Sequence, residues 1–395
     1  MKAIICGAGI AGLSLAWWLD RDGWDTLLVE RAPSLRDEGY MIDFLGSGYD
    51  VAELMGLIPR LEGIHYPIPE IAFVDRNGRR VAGLDYELFH RLQSGRLLNF
   101  MRGDLERVLF EELPESVEVR FNLTIDEVKP EEGQVEVLLS DGERERADLL
   151  VGADGIHSRV RELVFGEEHR FLRPLGLHTA AYVFEDKDLR RDLAGDFRML
   201  SVPGRQVGLY PIREEKIASF FVHRTQAREL PPSYCEELER VYGDLGWLVA
   251  DALRHCGDNS GVYYDQVSQI EMPRWSRGRV TLVGDACQTV SLLAGQGASM
   301  AMGGAYLLAR ELRDNGPVQK CLAAYEGRLK PLIRRKQAAG RRTVDWLVPP
   351  NHQRIAARNA ALRLAGLPGL SWLLRPVLRS GTESVVERIG ETAST

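Results

Sequence analysis

The chain of 395 residues is 45% hydrophobic and 27% charged, the composition of a soluble globular protein long enough for two or three domains. Its net charge of −7 gives no overall electrostatic basis for nucleic-acid binding. Five scattered cysteines without a CxxC pair or a Cys/His cluster argue against zinc and against a disulfide framework, and they favour a reducing cytoplasm.

The N-terminal segment 3–19 is apolar and has the hydrophobicity of a signal peptide. Its glycines recur at set positions and the acidic residues Asp20 and Asp22 close it, so we expect a strand followed by a helix. No run of the chain reaches the roughly 18 apolar residues that a membrane-spanning helix needs. The sequence therefore predicts no integral membrane segment.

The first thirty residues predict a dinucleotide-binding βαβ unit. A short apolar strand from Lys2 to Cys6 leads into GAGIAG, an apolar helix follows, and a second buried strand ends in Glu30. In this fingerprint Gly7 permits the tight turn, Gly9 lets the backbone approach a pyrophosphate, and Gly12 lets helix and strand pack closely. Free N–H groups at the helix start favour an anion. Glu30 is placed to bind ribose hydroxyls and should repel a 2′-phosphate, but this unit alone does not distinguish NAD from FAD.

Two arginines follow this unit. We include Arg31 among the candidates for cofactor binding. Arg36 is equally consistent with contact to a phosphate or flavin edge and with a solvated loop position.

The next segment predicts a hairpin over 71–82, several short alternating strands, and an amphipathic helix that begins near Asp104 and ends near Leu113. A buried strand then ends in the turn Asp154–Gly155, which opens another helix. This is a second carboxylate–glycine turn at a strand–helix junction.

Residues 171–272 change character. Four alternating, aromatic-rich stretches predict an antiparallel sheet inserted into the nucleotide-binding fold, and we expect the substrate there. Four side chains are candidates for a base that deprotonates a phenolic substrate, although a structural role is favoured for each: His178, Tyr210, His223 and Tyr264.

The stretch 278–302 carries the most information. It predicts a buried strand, the turn Gly284–Asp285, and then a glycine-rich start of a second helix. An acid at a strand end that faces small residues at a helix start suits a ligand with both sugar hydroxyls and an anionic head. Together with the N-terminal fingerprint, this indicates FAD rather than NAD as the resident cofactor.

From Tyr325 onward the chain is predicted to be largely helical, with breaks at 349–350 and 367–369. The apolar, Arg-rich segment 362–378 is open to two interpretations. It can lie on a membrane surface, or it can pack on the cofactor domain with its arginines solvated. The second is favoured.

Three motifs in order, GAGIAG with Glu30, ADGIHSRVR, and GRVTLVGDACQ with a following GQG, resemble those of the group A flavoprotein monooxygenases, the para-hydroxybenzoate hydroxylase-like family. Within it, the stretches MRGDLERVL and DQVSQIEMPRWSRGRVTLVGDA look like those of tetracycline-inactivating monooxygenases. The resemblance implies an α/β fold: a Rossmann-like FAD-binding domain of the para-hydroxybenzoate hydroxylase type with an inserted antiparallel-sheet substrate domain and a C-terminal helical region. We expect FAD-binding parts at 1–70, 99–170 and 273–345, substrate-domain parts at 71–98 and 171–272, and the helical region at 346–395.

The resemblance also implies roles for single residues. The ADP half of FAD would be held by the N-terminal motif, the ribityl hydroxyls by Asp285, and the flavin side by Arg36 and Arg102. Asp154 matches an acid implicated in binding both FAD and NAD(P)H. A helix N-terminus at Gly295–Gly297 would stabilise the negative charge of reduced flavin. The predicted cofactor-binding residues are Gly7, Gly9, Ala11, Gly12, Glu30, Arg31, Arg36, Arg102, Asp154, Gly155, Gly284, Asp285, Gly295, Gln296, Gly297 and Ala298.

The implied reaction is a hydroxylation in which NAD(P)H reduces the flavin transiently and O2 forms a C4a-hydroperoxide that attacks an aromatic or polyketide-like small molecule. A reductase or dehydrogenase on the same scaffold and a non-catalytic flavin- or ligand-binding protein are the alternatives. The sequence does not set the oligomeric state, monomer or dimer.

Several positions depart from the family pattern beside the expected oxygen-reactive face. The usual Asp-Ala-Ala-His is replaced by a sequence ending in Cys287 and Gln288, and the usual proline before GQG is Leu292. Ser299 stands where Asn is usual, and Gly304 replaces a helix acid. We expect close approach of another group to compensate for Gly303 and Gly304 within a helix.

Overall fold

A computed structural model of the chain describes residues 1–35, 40–257, 261–290, 295–313, 316–365 and 384–386. In these ranges the strands are β1 (Lys2–Cys6), β2 (Asp25–Glu30), β3 (Met41–Leu45), β4 (Glu70–Val74), β5 (Arg80–Asp85), β6 (Leu97–Met101), β7 (Glu118–Phe121), β8 (Ile125–Pro130), β9 (Val135–Leu139), β10 (Arg144–Ala147), β11 (Leu149–Gly152), β12 (Leu172–Glu185), β13 (Phe197–Val202), β14 (Arg205–Pro211), β15 (Lys216–Arg224), β16 (Tyr263–Ile270), β17 (Ser276–Arg277) and β18 (Val280–Leu282).

The same ranges contain α-helices and one short 3₁₀ turn at Glu168–Arg170. The helices are α1 (Ile10–Arg21), α2 (Ser47–Leu54), α3 (Ile58–Ile64), α4 (Tyr86–Leu92), α5 (Arg102–Glu111), α6 (Arg159–Phe165), α7 (Lys187–Leu193), α8 (Tyr234–Tyr242), α9 (Val249–Arg254), α10 (Asp285–Gln288), α11 (Gly297–Arg313), α12 (Val318–Leu347) and α13 (His352–Ala365).

The first sheet is the nucleotide-binding sheet, with strand order β17-β18-β11-β1-β2-β7. All neighbours pair in parallel except β17 with β18. The central strand β1 is apolar and nearly all buried, and α1 packs against α11. Buried parallel strands linked by helices are the doubly wound arrangement, so the expected Rossmann-like fold is confirmed. Because β1, β2, β11 and β18 run in the same direction, their carboxyl ends share one edge of the sheet.

The second large sheet has the order β16-β12-β15-β14-β13-β4-β5. It is antiparallel as predicted except between β13 and β4, which pair in parallel. This exception arises because the β4–β5 hairpin comes from an earlier part of the chain and joins the inserted strands at their edge. The short helices α7, α8 and α9, which the alternating pattern did not predict, pack on one face of the sheet. Smaller antiparallel sheets join β10-β9-β8 and β3-β6.

The cysteine prediction was wrong for one pair. Cys235 in α8 and Cys256 just after α9 form a disulfide, with Cα atoms 5.6 Å apart. They are 21 residues apart in sequence, and the turn between the two helices brings them together, which spacing alone does not reveal. The cysteine pattern therefore no longer supports a reducing compartment. Cys6, Cys287 and Cys321 are buried and lie outside this disulfide.

The C-terminal region is helical where it is described. α12 begins at Val318, seven residues earlier than predicted, and the expected break near 349–350 separates it from α13. The segment 362–378 lies mostly outside the described residues, so neither interpretation of it is tested. In the part of the chain that the structure describes, no helix combines the length and apolarity needed to cross a membrane.

Candidate active site

The three sequence motifs meet at one edge of the nucleotide-binding sheet. The turns after β1, β11 and β18 hold Gly7, Asp154 and Gly284, at the carboxyl ends of neighbouring parallel strands. A Cβ atom on Gly7 would lie 2.5 Å from the carbonyl oxygen of Ala153, and Gly7 has φ +107°. A Cβ atom on Gly284 would lie 2.6 Å from that of Ala11. Glycine is therefore required for the turns to approach this closely.

The start of α1 is shaped for a ligand. Gly12 packs against the turn, since a Cβ there would lie 1.9 Å from the carbonyl oxygen of Gly7. Gly9 differs, because a Cβ on it would meet only ordinary contacts, the nearest being Glu106 Oε1 at 3.6 Å. Protein packing does not explain the glycine at this position, whereas a pyrophosphate approaching the helix N-terminus does.

Glu30 lies at the end of β2, beside this turn. Its carboxylate accepts hydrogen bonds from the N–H of Ala8 and the N–H of Ala32, both at 2.8 Å. The side chain is thus fixed at the sheet edge where a ribose would lie. Arg31 is exposed, and Arg36 lies outside the described residues.

Asp285 and Arg102 lie close enough to interact electrostatically. Arg102 lies at the start of α5 and forms an ion pair with Glu106 at 2.8 Å. Asp285 is exposed to solvent, yet surrounding protein encloses it and raises the pKa of its carboxyl, while Arg102 lowers that pKa. Enclosure likewise raises the pKa of Tyr40 to about 12. Groups that are enclosed but reachable by water form the wall of a cleft rather than a packed core.

Asp154 is turned toward the protein. Its carboxylate accepts hydrogen bonds from the hydroxyl of Ser158 and from the N–H of Val160 at 3.0 Å, so it fixes the start of α6. Gly155 adopts φ +81°, and nothing lies within 4 Å of a Cβ placed there. This places Asp154 as a support of the turn, with the open side at Gly155.

Arg161 is a site residue that sequence reasoning missed. It is fully buried and donates to the carbonyl of Ala286 at 3.1 Å and to the carboxylate of Glu168 at 2.8 Å. It thereby connects the second motif to α10, directly after Asp285. Its place within ADGIHSRVR was the available signal.

The start of α11 contains the predicted glycine-rich segment. Gly295 has φ +62° and lies near Asp43. Gln296 is buried and accepts a hydrogen bond from Lys336 Nζ at 2.8 Å. Gly297 is exposed, and Ala298 is buried behind it. The first turn of α11 therefore presents its N–H groups at the crevice, held from behind by Lys336, which the sequence did not single out.

The departures at Cys287 and Gln288 were expected to flank the oxygen-reactive face, but both side chains are buried in the protein core. The Gln288 amide donates to the Tyr325 hydroxyl at 2.5 Å. A Cβ on Gly304 would lie 2.6 Å from that amide. The missing side chain at 304 thus makes room for the larger residue at 288. As expected, close approach explains the helix glycines, with Gly303 packed against Ser47. Leu292 lies outside the described residues.

A cavity of about 260 Å³ lies between the second sheet and the start of α11. Its wall is mostly aromatic and aliphatic. The lining residues are Tyr40, Met41, Asp43, Ile71, Phe73, Leu84, Tyr86, Phe197, Met199, Gln206, Tyr210, Phe220, Gly295, Trp346, Leu347, Arg358 and Leu362.

Of the four candidate bases, Tyr210 lines this cavity. His178, His223 and Tyr264 lie on the opposite face of the sheet, the face that α8 and α9 cover. There the Nδ1 atom of His178 lies 3.2 Å from the Tyr264 hydroxyl, and burial lowers the pKa of His223 to about 4. Successive residues in a strand point to opposite faces, so these three side chains do not reach the cavity.

Comparisons with known proteins agree with this geometry. The model of the FAD binding domain family matches residues 1–334. An uncharacterised protein of Mycobacterium tuberculosis is 35% identical over 367 residues, covering 88% of this chain and 92% of its own. A flavin-dependent monooxygenase from an unknown prokaryotic organism is 30% identical, covering 86% and 88%. The crystal structure of tetracycline destructase Tet(51) superimposes with a TM-score of 0.80 at 26% identity, covering 96% of this chain and 98% of its own.

The chain therefore belongs to the FAD-binding domain family and is a group A FAD-dependent monooxygenase. The residues present fit this cofactor. A pyrophosphate would have room at the open face of Gly9, and a ribose would lie beside Glu30. Asp285 lines the cleft where ribityl hydroxyls would lie, and a flavin ring would meet the start of α11 at the exposed Gly297.

Proposed function

We propose that the enzyme uses NAD(P)H and O2 to hydroxylate an aromatic or polyketide-like small molecule. The observation that carries this proposal is the largely apolar cavity of about 260 Å³ that includes Gly295, next to the start of α11. Ligand sites combine apolar walls with a few polar groups that orient the ligand. A planar, apolar substrate in this cavity would lie against the flavin end of the crevice.

When bound, FAD would supply the redox chemistry that links NAD(P)H oxidation to the use of O2, and Asp285 and the start of α11 would hold its flavin side. The protein's own residues shape the reaction. Aromatic walls such as Phe197 and Phe220 exclude water from the reacting region. The dipole of the α11 start would favour negative charge on a flavin ring bound beside it.

In this proposal Tyr210 orients the substrate and does not act as the base that deprotonates it. Its hydroxyl oxygen accepts the N–H of Met41 at 2.9 Å, and burial raises its pKa above the ordinary value. At neutral pH the phenol therefore stays protonated and can donate a hydrogen bond into the cavity. We expect Tyr210→Phe to raise KM more than it lowers kcat, because a positioning contact is removed and no base is lost.

The substrate class is tested by a screen of phenols, quinolones and tetracycline-like compounds; the last are included because one similar solved structure is that of a tetracycline destructase. The purified, FAD-loaded enzyme is supplied with NADH or NADPH in ¹⁸O₂. We expect substrate-stimulated NAD(P)H oxidation and a product that carries one ¹⁸O atom. Product formed equally without oxygen would instead identify a reductase, and bound FAD without stimulated turnover would identify a non-catalytic binding protein.

A further inference from the structure

The cavity contains a buried cation without a carboxylate partner among the described residues. Arg358, in α13, is 3% exposed. Its guanidinium reaches the carbonyl of Leu347 and the side-chain oxygen of Asn359 only at 3.4 Å. The guanidinium carbon lies 4.2 Å from the centroid of the Phe73 ring. A guanidinium has five N–H donors, so these long contacts leave most of its hydrogen-bonding capacity unused.

The neighbouring charged side chains that the structure describes do not neutralise the Arg358 guanidinium. Arg354, one turn earlier in α13, forms an ion pair with Asp345. Asp43 lines the same cavity as Arg358, but its carboxylate accepts from the Tyr86 hydroxyl at 2.7 Å and the Asn99 amide at 2.6 Å. Burial lowers the pKa of Arg358 to about 10, which still leaves it protonated at neutral pH.

A buried, unpaired cation is destabilising unless a ligand pairs with it. We propose that Arg358 is an anion-binding subsite that selects a carboxylate-bearing aromatic substrate, an inference that rests on the proposed hydroxylase function. The planar guanidinium matches the two oxygens of a carboxylate, and the ring of such a substrate would contact the aromatic walls. The cavity volume, just below the roughly 300–1,000 Å³ of drug-sized pockets, suits an acid of one or two rings.

The test compares acids with their neutral amides. The probes are 4-hydroxybenzoate and 1-hydroxy-2-naphthoate, each beside its carboxamide, and binding is followed by the change in flavin absorbance without NAD(P)H. A charge-assisted pair contributes about 1.5–3 kcal/mol, so we expect the acid to bind roughly 10- to 100-fold more tightly than the amide. Arg358→Gln should abolish this ratio, Arg358→Lys should leave an intermediate one, and the control Arg354→Gln should leave it unchanged.

A stability measurement separates a binding role from a structural one. If Arg358 serves the ligand, Arg358→Met should leave the urea midpoint of the ligand-free enzyme unchanged or raise it, because an unpaired buried charge is removed. A lower midpoint would assign the arginine to the fold. An acid-to-amide ratio that survives in Arg358→Gln, or that is absent in the wild type, would overturn the proposal. Should Arg358→Gln not fold, the ratio in Arg358→Lys decides.

Failure of this inference is distinguishable from failure of the proposed function. Arg358-dependent binding of acids without ¹⁸O incorporation would contradict the hydroxylase and leave the anion subsite in place. Hydroxylation of neutral compounds, with no preference for acids, would contradict the anion subsite and support the hydroxylase.

Discussion

Gly284 is the residue through which the end of β18 approaches α1, and replacing it tests how the motifs are held together. Its backbone has φ +62° and ψ −146°, a region that glycine occupies almost alone and that costs another residue about 1–3 kcal/mol. In Gly284→Ala the new Cβ would also lie 2.6 Å from that of Ala11. Overpacking of this kind adds about 1–3 kcal/mol. We expect a total loss of about 2–6 kcal/mol in the free energy of unfolding.

The matched control is Gly278→Ala. Gly278 also has φ +62°, but a Cβ there would meet nothing within 4 Å, so only the backbone cost of about 1–2 kcal/mol should appear. The single variant Ala11→Gly should cost about 1 kcal/mol, because it places glycine in a helix. The double variant Ala11→Gly/Gly284→Ala removes the Cβ–Cβ contact, so it should be about 1–3 kcal/mol more stable than the sum of the two single losses predicts.

Urea unfolding of each variant, followed by tryptophan fluorescence, and titration with FAD measure both consequences. Because Gly284 precedes Asp285, displacement of this turn should also weaken FAD binding. Each 1.4 kcal/mol of binding free energy that is lost corresponds to about a tenfold weaker affinity. Equal stability and equal FAD affinity of Gly284→Ala and Gly278→Ala would refute the close approach as the reason for this glycine.

Three further outcomes follow from the packing and charges. Gly304→Ala should lower the free energy of unfolding by up to about 2 kcal/mol, because the clash with the buried Gln288 amide costs about 1–3 kcal/mol and alanine in place of glycine regains about 1 kcal/mol of helix propensity. Adding Gln288→Ala should relieve part of the loss, and a purely additive double variant would contradict the pairing. Replacing Cys235 and Cys256 by serine should lower the free energy of unfolding by about 3 kcal/mol relative to the oxidised wild type, because the disulfide closes a loop in the unfolded chain. Relative to the reduced wild type the replacement should change nothing. Thermal unfolding with and without reductant measures both differences. Two carboxylates raise the pKa of His157 from its ordinary 6.5 to about 10, so its contribution to stability is complete below pH 6.5 and disappears as the pH rises toward 10; urea titrations across this range should show a flatter profile for His157→Gln, and an unchanged profile would contradict the ion pairs.

The turns and helix starts that form the candidate cofactor site could be predicted because their determinants are local. A strand, a glycine turn, a helix and an acid at the next strand end follow one another within thirty residues, and the structure gives β1 the predicted bounds, Lys2–Cys6. The second and third motifs likewise consist of a buried strand, a carboxylate–glycine turn and a helix start. That they meet at one edge follows from parallel pairing, which the fold class already implies.

What the sequence did not predict depends on tertiary contacts. The alternation of the inserted strands predicted two faces but not which of them α8 and α9 would cover. The sequence therefore did not separate Tyr210, which lines the cavity, from the three other candidate bases on the covered face. The start of α8 was recognisable, because Ser233 caps it and Glu236 follows at capping-box spacing. Arg358 had no local signal, since its significance arises only where α13 meets the β4–β5 hairpin. The paired departures Gln288 and Gly304 likewise make sense only across two helices.

The most direct test of the central claim is the FAD content of Asp285→Ala. Asp285 lies in the cleft wall and interacts electrostatically with Arg102, and we expect it to bind the ribityl hydroxyls. The variant should be purified beside Gly278→Ala and the wild type, and its bound flavin measured by absorbance and by titration with FAD. We predict that it folds, loses most of its FAD during purification and rebinds it at least tenfold more weakly. Tightly bound FAD with normal NAD(P)H turnover in Asp285→Ala would contradict the assigned site.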